Sequence, residues 1–237
     1  MGSWRRASTG WLSFGHIAAP VNSIPPGPLL LLRAHLSRHA RCRKLANSWS
    51  ENVMIERTEA LALLTQQGLN AGLLQHSLAS EAVLRALARH FGEDEDAWGL
   101  TGLLHDVDYP ATADRPERHG LDGAELLAGR LPEACLAAIR AHNGEMTGFP
   151  PASRLDFALR CGETVTGLIS AAARMRPTGL AGMEPKSIKK KMKDKAFAAS
   201  VNRDNIRQCA EAGIELDAFL ALAIGAMAAQ AAQTPAD

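Results

Sequence analysis

The sequence predicts an all-α fold, a helical bundle, and three observations predict it. Ala and Leu abound while aromatic residues make up 5% of the chain, a composition that suits helices over strands. Apolar residues recur at helical spacing through residues 54–237. No Asn-Gly or Asp-Gly pair sits between runs of alternating apolar residues, so no hairpin is signalled. With 237 residues, 46% of them hydrophobic and 22% charged, the chain is long enough to bury a sizeable core.

The helical pattern begins at Met54. Before it, residues 1–53 carry seven Arg and Lys against one acidic residue, Glu51, and hold the Pro25-Pro26-Gly27-Pro28 cluster with no sustained helical period. They read as a basic, disordered leader, or as an extension read from an upstream start with Met54 the natural beginning. An organelle transit peptide or a nucleic-acid-binding arm are the functional alternatives. Residues 29–32 are too few to span a membrane. His16, His35 and His39 fall here and are given no role. Cys42, Cys135, Cys161 and Cys209 form no CxxC pair, which argues against a zinc ribbon, a redox dithiol or a disulfide framework and for a cytoplasmic protein with reduced thiols.

Taken in order, residues 56–67 form a first helix with Ala60, Leu61, Leu63 and Leu64 as its apolar stripe. In a second, over 73–91, His76, Ser80, Val83 and Leu87 share one inward face. Glu93, Asp94, Glu95 and Asp96 open a third, opposing its macrodipole. It packs through Leu100, Leu103, Leu104 and Val107, and Pro110 disfavours helix at Tyr109, placing His105 and Asp106 in the last turn. A polar loop over 111–118 leads to His119, at the head of a helix over 121–130. Pro132 starts the next, which ends at His142-Asn143-Gly144, a C-cap sequence. After a loop over 145–153, residues 154–175 make a long helix with Leu155, Leu159, Gly162, Thr166, Ile169 and Ala173 on one face. Glu163 lies beside that face, where a carboxylate needs a metal or a partner such as Arg160. Gly162 and Gly167 allow close packing or leave room for a site. Residues 186–195 hold six lysines over an inward Ile188 and Met192, and helices over 203–213 and 216–232 close the bundle.

His76, His105-Asp106, His119, His142 and Glu163 thus come from different helices or helix ends. Imidazole and carboxylate ligands suit a divalent cation. His76, His105, Asp106 and Glu163 would hold one ion. His119 and His142 would add a second, with Asp106 bridging. A lone histidine of this kind is more often structural; the ordered set is what carries the expectation. Mn, Fe, Co, Ni, Zn and Mg are not distinguished.

The set resembles the HD-domain superfamily of metal-dependent phosphohydrolases, HDIG-type members included, whose motif is H…HD…D on a helical bundle. His76 in QHSLASEAVLRALA matches the first histidine, His105 and Asp106 in GLLHDVDYP the dyad, and His119 in PERHG and His142 in AIRAHN the two additional histidines of dinuclear members. Glu163 in ALRCGETVTGLI stands at the final acid. The similarity runs on through KSIKKKMKDKAFAASVNRDNI and covers about residues 54–230. Two departures stand out: the final acid is Glu, not Asp, and the dyad is followed by Val107-Asp108, not Ile-Gly, so no cyclic-dinucleotide specificity transfers.

The resemblance implies hydrolysis of a phosphoester or phosphoanhydride, most naturally of a nucleotide, by metal-activated water. Asp106 and His105 are its catalytic centre. Asp108 is a candidate proton acceptor, with a solvent-facing helix-end residue as the plainer reading. Arg115, Arg118, Lys189 and Lys190 are candidates to neutralise phosphate; a solvated lysine face is the plainer reading of the last two. The alternatives are a catalytically weak HD scaffold acting as a metal or nucleotide sensor, and a helical interaction module. The acidic balance of the body and the lack of aromatics among its lysines argue against a nucleic-acid partner. No membrane association is expected, and a homo-oligomer is left open.

Overall fold

A computed structural model describes residues 54–233. The expectations for residues 1–53 lie outside the described residues. Among those described there are twelve helices and no strand. They are α1 (Arg57–Gln66), α2 (Ala71–Phe91), α3 (Glu95–Leu104), α4 (Tyr109–Thr112), α5 (Leu121–Leu126), α6 (Glu133–His142), α7 (Gly144–Thr147), α8 (Arg154–Arg174), α9 (Pro185–Lys193), α10 (Arg203–Arg207), α11 (Cys209–Ala212) and α12 (Leu216–Gln233). The all-α bundle expected from the sequence is what forms.

The long helices begin at side-chain caps. Asn70 accepts from the Leu73 N–H at the start of α2, and Asp94 from the N–H groups of Asp96 and Ala97 at the start of α3. At α8 Ser153 and Asp156 form a reciprocal capping box, which satisfies two N–H groups that the helix itself cannot. Gly92 ends α2 in the left-handed conformation, at φ 71°.

Helices α2 and α8, each 21 residues long, form the centre, with α3, α6 and α12 packed around them. Their buried faces are the expected ones: Ser80, Val83 and Leu87 on α2, and Leu155, Leu159, Thr166 and Ile169 on α8. Two glycines set how closely the helices approach. A Cβ at Gly162 would meet the Leu84 side chain at 2.7 Å, and one at Gly102 would meet the Ser80 carbonyl oxygen at 2.7 Å. Gly102 therefore lets α3 lie directly on the α2 backbone, one turn after His76 and one turn before His105.

Several boundaries differ from those expected. Helix α3 ends at Leu104, so His105 is its C-cap and residues 105–108 are turns. Pro110 does not leave a loop behind it; it sits in the first turn of α4, where its fixed φ and missing N–H cost nothing. Asn143 does cap α6, but Gly144 opens the one-turn α7 instead of a loop. Helix α12 is long and apolar enough to cross a membrane by length and composition, yet it sinks Phe219, Leu220, Ala223, Ile224 and Met227 into the core.

Candidate metal centre

Four imidazoles and one carboxylate converge where α2, α3, α5, α6 and α8 meet. Each histidine is aimed by a hydrogen bond at its Nδ1. His105 Nδ1 donates to the Gly102 carbonyl (2.8 Å) and His142 Nδ1 to the Ile139 carbonyl (2.6 Å), each within its own helix end. His76 Nδ1 lies 2.9 Å from the Thr166 hydroxyl. That hydroxyl gives its own proton to the Glu163 carbonyl, so it accepts from His76. His119 Nδ1 donates to Asp108 at 2.9 Å. With every Nδ1 so engaged, all four Nε2 atoms face a common space, the arrangement in which imidazoles bind metal.

The Nε2 atoms of His76 and His105 are 3.1 Å apart, and those of His119 and His142 are 3.0 Å apart. Asp106 lies between the pairs. One of its oxygens is 3.3 Å from His105 Nε2, 3.2 Å from His119 Nε2 and 3.6 Å from His142 Nε2; the other is 3.6 Å from His76 Nε2. Two groups with ligand spacing result, His76–His105–Asp106 and Asp106–His119–His142, sharing the carboxylate. Donor separations of 3.0–3.6 Å fit ligands around an ion bound at about 2.0–2.2 Å. The fit has an electrostatic side too. His76 and His105 point lone pairs at each other beside a carboxylate, an arrangement that a cation stabilises and an apolar filling would not.

Protonation differs between the two groups. Burial holds His105 down to about 3 and also lowers His76, so the first group is neutral imidazole before any ion arrives. Burial opposes charge on His119 as well, but hydrogen bonds to Asp106 and Asp108 outweigh it and raise its pKa to about 9. Burial likewise opposes the Asp106 carboxylate, yet the surrounding histidines hold it well below its usual range. The second group therefore carries a proton on His119 that a cation must displace.

Glu163 is brought to the edge of the first group, its carboxylate 3.8 Å from His76 Nε2, but it lies in neither set with ligand spacing. Its carboxyl accepts from the Thr164 hydroxyl. Burial, with Asp106 nearby, raises its pKa to about 8. Arg160 is not its partner. That guanidinium, fully buried, donates to Glu145, Asn205, Gln208 and the carbonyls of Ala141 and His142.

Asp108 is neither a solvent-facing residue nor a free proton acceptor. It is 3% exposed, and its oxygens accept from His119 Nδ1 and from the N–H groups of Gly120 (2.8 Å) and Gly123 (2.7 Å). Burial works against the charge, but these donors lower its pKa. It orients His119. Gly120 makes this possible: at φ 90° it turns its N–H to Asp108, and a Cβ there would meet the Ile139 carbonyl oxygen at 2.7 Å and the His142 ring at 3.0 Å.

The basic residues expected near phosphate stand elsewhere. Arg118 is taken by Asp122 and Glu125, one and two turns along α5, and Arg115 lies 3.6 Å from Asp122. Lys189 pairs with Asp217, and Lys190 lines a separate hollow with Ser187, Lys191, Lys193 and Asp194. Ile188 and Met192, buried at i, i+4 spacing, turn the lysines of α9 outward. None of the four lines the cleft at the metal centre, a cavity of about 540 Å³.

That cleft is lined by His76, Asp106, His119, His142 and Glu163 and, on its other walls, by residues the sequence did not single out: Tyr109, Asn143, Glu145, Ser200, Asn202 and Asn205. Tyr109 directly follows the dyad's turn, and Asn202 and Asn205 lie in VNRDN, so proximity in the motif was their only signal.

A family model described as HD domain matches residues 73–191. The match holds all six candidate ligands and leaves α1 and α10–α12 outside. No curated protein and no solved structure matches the chain.

Proposed function

The chain belongs to the HD-domain family, whose members are metal-dependent hydrolases, and on that premise we propose that it is a phosphohydrolase acting on a phosphoester or phosphoanhydride of a nucleotide. The observation that carries the reading is the pair of ligand groups sharing Asp106 on the wall of an open cleft. His76, His105 and Asp106 would hold one divalent ion, Asp106, His119 and His142 a second, with Glu163 turning from Thr164 to complete the first. When bound, such ions supply Lewis acidity toward phosphate oxygens and activate water.

The protein's own groups do the rest. Asp106 holds the negative charge between the two sets. Asp108 keeps one His119 proton on Nδ1, and Gly102 and Ile139 do the same for His105 and His142, so the Nε2 lone pairs are directed inward once a cation has displaced the second proton of His119. Gly167 lets Val201 pack closely against the α8 wall of the cleft, where a Cβ would meet its side chain at 3.3 Å. Buried, unpaired Cys135, Cys161 and Cys209 support a reducing, cytoplasmic setting.

The test is phosphate release from a panel of nucleotides and simple phosphoesters with several divalent metals, using Asp106→Ala as control. Metal-dependent release lost in the variant is expected; no release from any substrate would sink the reading. One observation favours a second reading, a metal or nucleotide sensor: Glu163 is protonated at neutral pH and outside both ligand groups. Stoichiometric metal with no turnover would select it.

A further inference from the structure

The cleft differs from the usual polyphosphate site in what lines it. Among its described lining residues none is Lys or Arg. Its carboxylates are Asp106, Glu145 and Glu163, and Glu145 is held by Arg160 behind the wall. Sites that bind di- and triphosphates surround the chain of charges with Lys, Arg and metal. Among the described lining residues, positive charge would come from the metal centre alone, with no side-chain cation placed along the cleft for further phosphates.

The remaining walls offer two other kinds of contact. Tyr109, the chain's single tyrosine, lines the cleft and is 42% exposed. Its ring is held edge-on to His119, with centroids 5.3 Å apart at 87°, and Pro110 stiffens the turn that carries it. A lone exposed aromatic is ordinary; one fixed beside a ligand histidine on a cleft wall is a stacking surface. Opposite chemistry comes from α10 and its cap. The Asn202 side-chain oxygen accepts from the N–H groups of Asp204 and Asn205, and the Asn205 oxygen accepts from Arg160 at 3.0 Å. Both amide orientations are thereby set on residues that line the cleft, and no hydrogen bond among the described residues engages either NH2 group.

Resting on the phosphohydrolase reading, we infer that the substrate is a phosphomonoester of a flat, acceptor-bearing ring, a nucleoside monophosphate, with Tyr109 stacking on the base and Asn202 and Asn205 donating to acceptors of the base or sugar. A volume of about 540 Å³ lies within the roughly 300–1,000 Å³ range of clefts for single small ligands. Neutral donors and one aromatic face recognise a nucleoside; they add no positive charge for a second or third phosphate.

The test compares the Mn-loaded full chain on the mono-, di- and triphosphates of adenosine and uridine and on ring-free glycerol phosphate. Both turnover and calorimetric binding are read. The monophosphates are expected to have the highest kcat/KM and the tightest binding. Tyr109→Ala should raise KM and Kd for nucleoside monophosphates roughly tenfold more than for glycerol phosphate, the scale of one lost base stack, and Tyr109→Phe should restore them. A preference for triphosphates, or a Tyr109→Ala defect equal for ringed and ring-free esters, overturns the inference and leaves the phosphohydrolase reading standing. Tyr109-dependent binding of the monophosphates without turnover of any ester supports the inference and removes that reading. Absence of both binding and turnover of the monophosphates overturns the inference.

Discussion

Asp108→Asn separates the two halves of the centre. Asp108 holds His119 Nδ1 at 2.9 Å with one oxygen and the Gly120 and Gly123 N–H groups at 2.8 and 2.7 Å with the other. An asparagine has one acceptor oxygen. The two glycine donors claim it, and its NH2 then faces His119 Nδ1. To avoid donor against donor, His119 must move its proton to Nε2, which removes the lone pair aimed at the second subsite. A charge-assisted hydrogen bond of this kind is worth about 1.5–3 kcal/mol, and loss of such an orienting partner typically costs about 10–100-fold in metal affinity. The first subsite, His76–His105–Asp106, has no contact with Asp108 and should keep its affinity. Calorimetric titration of the metal-free protein with Mn, read as two binding steps, checks this. Equal weakening of both steps, or no weakening of the second, would refute the assignment of Asp108 to His119.

Other outcomes follow from the same geometry. The metal-free protein should lose stability as pH rises from about 6.5 to 8. In that window folded His119 (about 9) and Glu163 (about 8) hold protons that the unfolded chain mostly releases, while the opposing contribution of His76 and His105, protonated only in the unfolded chain, fades as pH rises above about 6.5. Thermal unfolding across that range should show the decline, and saturating Mn should reduce it; a flat metal-free profile would count against the two raised values. Glu163→Gln should weaken the first metal-binding step about tenfold and spare the second, and an unchanged first step would exclude Glu163 from the ligand set. Gly102→Ala pushes a Cβ to within 2.7 Å of the Ser80 carbonyl oxygen. It should cost about 1–3 kcal/mol in denaturant unfolding and weaken the first step as His105 shifts from His76; full stability would show that α3 has room to move.

The helices were legible because their apolar stripes and caps are local signals. Val83 and Leu87 on α2 and Leu159 and Ile169 on α8 pack as their spacing predicts. The histidines and Asp106 were legible as an ordered set, since each lies at a helix end or on an inward face. What the sequence hid was direction over long range. Asp108 reads as a polar residue near a helix end, and only the left-handed turn at Gly120 folds His119 and two N–H groups back onto it. Arg115, Arg118 and Lys189 read as free charge, but Asp122, Glu125 and Asp217 lie within reach and take them. Arg160 is close to Glu163 in sequence, yet the carbonyls at the end of α6 and Glu145 of α7 draw it away, and that α6–α8 contact has no sequence signature.

The proposed function requires Asp106 to join two metal-binding groups in one cleft. Elemental analysis of tag-free protein and of Asp106→Ala, with helix content checked by circular dichroism, tests it most directly. One to two divalent ions per wild-type chain and near-complete loss in a variant that stays helical are expected. Wild-type protein that takes up no divalent ion, or a folded variant that keeps its full complement, would contradict it.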